Sequence, residues 1–107
     1  MSGEREDLSD IRDRYNILKY LTEYNNLHPF VSMERAELVQ ELKIDKEALD
    51  KGIRYLEDRM LIETVWFMGG DYWTKVSQQG IDEILRVERE PEKPSEHFPS
   101  YYKLHYG

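Results

Sequence analysis

The chain has 107 residues, 39% hydrophobic and 35% charged, the balance of one folded domain with a modest core. It contains no cysteine, which excludes disulfides, thiolate catalysis and cysteine-ligated zinc. The net charge of −7 argues against broad affinity for phosphate backbones or anionic membranes, because Lys and Arg supply most of that affinity.

The opening residues 1–7 are polar and acidic, unlike a secretory leader. No apolar stretch approaches the roughly 20 residues that span a bilayer, so the expected location is cytoplasmic, with no membrane partner. The first periodic segment is residues 9–25, where Ile11, Tyr15, Leu18 and Leu21 fall at helical spacing. Ser9 suits its N-cap, and Asp10 and Asp13 its first turn. Asn25-Asn26 breaks the pattern, Pro29 keeps His28 out of helical geometry, and Phe30-Val31 reads as an extended link.

Ser32 is the expected cap of a second helix over 33–42, with Leu38, Val39 and Leu42 inward. Asp45 caps a third helix reaching about residue 60, which buries Leu49, Ile53, Leu56 and Met60. Ile44 and Leu49 flank that cap as a hydrophobic staple. Gly52 costs helix propensity, and a close approach by the second helix would account for it. The period then switches to two. Residues 61–68 and 71–76 read as strands around a Gly69-Gly70 turn, which sets Trp66 opposite Trp73, Phe67 opposite Tyr72 and Val65 opposite Thr74. Val65, Val76, Phe67 and Tyr72 then face inward and the two tryptophans lie on the other face, either flattened against the first helix or the tail or forming a surface for a partner. Ser77 caps a last short helix with Ile81, Ile84 and Leu85. Residues 8–89 form the expected domain. Residues 90–107 form a tail rich in proline and aromatics, too apolar for free solvation.

Helix, link, helix, tight turn, helix and hairpin is the order of a winged helix-turn-helix, and two stretches carry the resemblance. Leu56-Glu57-Asp58-Arg59-Met60-Leu61-Ile62-Glu63 resembles the phrase that closes the third helix in MarR-like and PadR-like regulators, with Met60 where glycine is usual. Tyr72-Trp73-Thr74-Lys75-Val76-Ser77-Gln78-Gln79-Gly80 resembles the end of their wing. The fold class expected is therefore α+β, mainly helical: a three-helix core, a hairpin wing and a short C-terminal helix. The resemblance implies a third helix that enters a major groove.

The outward face of that helix presents Glu47, Lys51, Arg54 and Asp58, with Asp50 and Tyr55 at its edges. One reading is a DNA contact made by Lys51, Arg54 and Tyr55, supported by Lys43 and Lys46, with Lys75 on the wing. The other is a solvated face laced with the i,i+4 pairs Glu47–Lys51 and Arg54–Asp58. Residues 32–59 hold six basic against eight acidic side chains, so DNA binding is expected to be weak or dependent on a dimer. The leading expectation is a dimeric, DNA-binding, transcription-regulator-like protein. The alternative is a winged helix repurposed for protein–protein interaction through Trp66, Trp73 and the tail aromatics Phe98, Tyr101 and Tyr102, where aromatic enrichment suits an interface. The tail and the first helix are the candidate dimer elements. His28, His97 and His105 lack metal-site spacing, and the sequence has neither a phosphate-binding glycine motif nor a nucleophile elbow. No cofactor, metal or enzymatic activity is expected.

Overall fold

The computed structural model describes residues 8–91 together with Lys93, Ser95, His97 and Phe98. These residues form four helices and a three-stranded antiparallel sheet, an α+β and mainly helical arrangement.

Helix α1 (Leu8–Leu27) buries Ile11, Tyr15, Ile17, Leu18 and Leu21 along one stripe. It is already helical at Leu8, so Ser9 lies inside the helix and is not its cap. The helix also passes through Asn25 and Asn26, since Tyr24 still accepts a bond from the His28 N–H. Pro29 then ends it, and Phe30 turns the chain at φ 70°. The link is thus a turn, not extended as expected.

Strand β1 (Met33–Glu34) is an element the local sequence pattern does not announce. Its pairing draws Met33 under the sheet and moves the cap of α2 (Arg35–Leu42) from Ser32 to Glu34. The Glu37 carboxylate accepts the Glu34 N–H there, half of a capping box. Lys43 takes a left-handed φ of 52° and closes α2. Asp45 caps α3 (Lys46–Asp58) as expected, accepting from the Glu47 N–H. Gly52 is crowded by α1 and not by α2: a Cβ there would lie 2.6 Å from Ile17 Cδ1. Helices α1 and α3 are the principal helix–helix pair, and Leu49, Ile53 and Leu56 of α3 are fully buried.

Helix α3 stops two residues short of Met60. The Met60 N–H bonds to the Glu57 carbonyl and the Leu61 N–H to the Leu56 carbonyl, the two bonds of a Schellman turn. Met60 holds the left-handed position at φ 60° with its side chain in solvent, so it is not the core residue the spacing suggested.

Strands β2 (Ile62–Trp66) and β3 (Tyr72–Val76) form the hairpin, and the sheet order is β1-β3-β2. Trp66 pairs with Tyr72, Val65 with Trp73 and Thr64 with Thr74, one residue away from the expected register. Met68 joins the loop: a turn over residues 67–70 is closed by the Gly70 N–H on the Phe67 carbonyl, and both glycines have φ near 90°. That one-residue shift inverts β2 while leaving β3 as expected. Ile62, Thr64 and Trp66 face the helices; Val65 and Phe67, expected inward, face solvent. Ser77 caps α4 (Gln78–Arg89) as expected, its hydroxyl accepting the Gly80 N–H and donating to the Met60 carbonyl. Ile84 and Val87 bury α4 against the core.

The tail returns to the body. Phe98 is fully buried, its ring edge-on to Tyr15 at 5.5 Å. Ser95 accepts the N–H groups of His97 and Phe98 and donates to Glu83. The buried Arg14 donates to the His97 carbonyl.

Candidate functional site

Three of the bases expected to meet DNA, Lys51, Arg54 and Lys75, are engaged by acids or a ring of neighbouring elements. Lys51 Nζ lies 2.7 Å from Asp10 of α1. Arg54 sits over the Trp66 ring at 5.3 Å, and no ion pair joins it to Asp58 among the described residues. Tyr55 is half-buried with the guanidinium groups of Arg14 and Arg59 at 3.8 and 3.6 Å from its ring, and its hydroxyl faces His97. It therefore belongs to the junction between α1, α3 and the tail, not to the outward edge of α3. Lys75 is 3.8 Å from Glu63 across the hairpin. Lys43 and Lys46 stand exposed on either side of the Asp45 cap. Lys43 also borders a surface groove of about 340 Å³ between α1 and the end of α2, where Asp13, Glu23 and Glu41 outnumber the bases.

Behind the hairpin a polar network fixes its position on the helices. Arg35 of α2 grips Asp50 of α3 with two bonds, of 2.9 and 2.7 Å, and the Tyr72 hydroxyl donates to the same carboxylate at 3.1 Å. Burial pushes the Asp50 carboxyl up, but bonds from Arg35 and Tyr72, with the Arg35 charge, hold it below its ordinary range. Burial and the Asp50 charge push the Tyr72 phenol well above its ordinary value. Trp66 lies on this inner side, donating its indole N–H to Glu57 and meeting Tyr72 edge-on. Trp66 faces inward and not outward because the loop takes in Met68 as well as the two glycines.

The outer face of the hairpin is a different surface. Trp73 is 50% exposed and Val65 59% exposed, directly opposite each other in the register. Phe67 packs edge-on to Trp73 at 5.1 Å, and Met68 at the tip is 100% exposed. Glu34, Glu63 and Asp71, all exposed, surround this apolar centre. Large aromatics in a single surface cluster are uncommon on a lone soluble domain and mark contact surfaces. Of these residues the sequence singled out Trp73 alone for such a role. Met68 beside a Gly-Gly turn was the available signal for the rest, since a loop residue is solvent-facing whatever the strand register.

Of the other expected partner contacts, Phe98 is core and so is withdrawn from any surface role. Tyr101 and Tyr102 lie outside the described residues. Among the described residues no group of three His, Asp or Glu side chains is placed to hold a metal ion, and no helix is long and apolar enough to cross a membrane. No family model, curated protein or solved structure matches the chain.

Proposed function

We propose that the chain is a winged helix-turn-helix module that binds another protein through the outer face of its wing. The observation that carries this reading is the exposed apolar cluster of Val65, Phe67, Met68 and Trp73. A wing that served DNA would be expected to present cations to phosphates at its tip; this tip presents Phe67, Met68, two glycines and Asp71. The element order supports the winged-helix assignment, as does the left-handed backbone at Met60, where the resembled families carry glycine.

The reading is tested by replacing Met68 with a photo-crosslinking phenylalanine analogue in the full chain and irradiating it in its native cell. The expected product is one discrete protein adduct, lost when Val65→Ser and Trp73→Ser are introduced together. Adducts to nucleic acid alone, or an adduct indifferent to that double substitution, would overturn the reading.

A second reading, the dimeric DNA-binding regulator, is favoured by one observation: Lys43 and Lys46 are both exposed beside the N-terminus of α3. It predicts that a random-sequence duplex binds at low salt and that Lys43→Glu with Lys46→Glu abolishes binding. Light scattering on the same samples reports whether a dimer forms. A monomer indifferent to the duplex sinks this reading.

A further inference from the structure

We infer that the free edge of β2 takes up one extended, cationic and apolar segment of a partner protein, which joins the sheet as a fourth strand. The inference rests on the protein-binding reading above and adds the conformation and charge of what is bound.

Among the described residues the sheet order leaves β2 with an unpaired side. Hydrogen-bonded pairs alternate along an antiparallel ladder. Here the Phe67 N–H bonds to Asp71 at one end of the hairpin and the Ser77 N–H to Leu61 at the other. In the observed register, Glu63 and Val65 therefore direct their main-chain groups to β3. Thr64 and Trp66 direct theirs to the free edge, where no hydrogen bond reaches them among the described residues.

Edges left open in this way are ordinarily blunted by proline, a bulge, an inward charge or a covering loop. β2 has no proline, its register runs without a bulge from Ile62 to Trp66, and both its inward neighbours of Thr64 are uncharged. Its outward side chains are Glu63 and the exposed Val65. The main-chain edge and the apolar cluster are continuous, so one strand laid along β2 meets both.

The charge around the edge selects the occupant. Glu63 lies on the edge strand itself and is 63% exposed, Asp71 follows at the loop end and Glu57 stands behind Trp66, whereas the one base on this face of the hairpin, Lys75, sits on β3 at 3.8 Å from Glu63. A second copy of this chain would bring the same acidic rim and a net charge of −7 against its own likeness. A strand with Lys or Arg beside Glu63 and apolar residues beside Val65 and Phe67 instead answers every position it meets.

The test uses the full, isotope-labelled chain and a synthetic capped peptide that alternates threonine with valine and lysine, compared with the same peptide carrying glutamate for lysine. The cationic peptide is expected to shift the Thr64 and Trp66 amide signals and slow their hydrogen exchange. The glutamate peptide is expected to bind about tenfold more weakly or worse. Glu63→Lys should reverse that preference. Val65→Lys, at a position 59% exposed, should abolish binding of the cationic peptide while the amide signals of the helices keep their positions. Three results overturn the inference: no protection at those two amides, equal binding of both peptides, or protection in the chain alone that grows with its concentration. A failure here with the Met68 crosslink intact removes the edge strand and leaves the protein-binding reading standing; loss of both removes the two together.

Discussion

Trp66 stands opposite Tyr72 across the hairpin, their rings 4.6 Å apart on the helix-facing side, while Trp73 occupies the opposite face beside Val65. The two tryptophans of this chain therefore sense different surroundings although they lie one register step apart. Trp66 is packed between Tyr72 and the Arg54 guanidinium with its N–H on a carboxylate; Trp73 is half in water.

Single-tryptophan variants should separate them. In Trp73→Phe the remaining Trp66 emission is expected to be blue-shifted and poorly quenched by acrylamide. In Trp66→Phe the remaining Trp73 emission is expected to be red-shifted and readily quenched. The sequence-derived register puts both rings on one face and so predicts the same kind of spectrum for both variants; similar behaviour of the two would refute the hairpin described here.

The left-handed turn at Met60 gives a second prediction. An L-residue in that conformation costs roughly 1–2 kcal/mol, which glycine escapes, though glycine returns part of the gain through the entropy of the unfolded chain. Met60 contributes little packing to offset this, since its side chain is exposed at φ 60°. Met60→Gly should therefore stabilise the fold by about 0.5–1 kcal/mol in urea denaturation. Met60→Ala, which keeps the strain and removes only the exposed side chain, should change stability by less than about 0.5 kcal/mol.

These two cases mark where the sequence alone misleads, and other elements where it is informative. Asp45 and Ser77 were legible as caps because a cap is a local device, settled within three residues. The inward faces of α1 and α3 were legible because a helical stripe repeats several times. The two-residue β1 was not, since Met33 and Glu34 become a strand only by pairing with Thr74 and Trp73, far along the chain. The hairpin register failed for a subtler reason. Gly69-Gly70 serves a two-residue loop as well as a three-residue one, and a single residue decides which face of β2 meets water. The candidate site inherits both effects: Lys51, Arg54 and Lys75 could be found by type and spacing, but Asp10 and the Trp66 ring that engage two of them lie on other elements.

Two glycines with similar burial should respond differently to the same substitution. A Cβ at Gly80 would lie 2.1 Å from the Leu61 carbonyl oxygen and 2.8 Å from Val76 Cγ2, so backbone would have to move. It would also disturb the cap in which the Gly80 N–H meets Ser77. Gly80→Ala should destabilise the fold by about 3 kcal/mol or more, measured by denaturant titration. At Gly52 the obstacle is the terminal Cδ1 of the Ile17 side chain and not backbone, and alanine recovers about 1 kcal/mol of helix propensity. Gly52→Ala should fall within about 1 kcal/mol of the parent. Equal effects at the two positions would show that α4 does not seat on the turn after α3 as described.

The Asp50–Tyr72 bond sets opposite pH limits on stability. Asp50 is held below its ordinary value of 3.8, so it contributes stability above that pH which is lost as pH falls through the lower folded value. Tyr72 is held above 10.0, so its contribution is full below pH 10 and is lost as pH rises beyond it. The expected profile, from urea midpoints across pH, is a plateau with an acid decline below about pH 4 and an alkaline decline above about pH 10. Tyr72→Phe removes one bond to a carboxylate from a fully buried position and should cost about 1.5 kcal/mol on the plateau. It should also flatten the alkaline decline and shrink the acid one, because Asp50 loses one of the bonds that hold its carboxyl down. Asp50→Asn should flatten the acid decline further while leaving Arg35 without its charge partner. An alkaline decline unchanged in Tyr72→Phe would show that this phenol is not the group that keeps its proton in the folded chain.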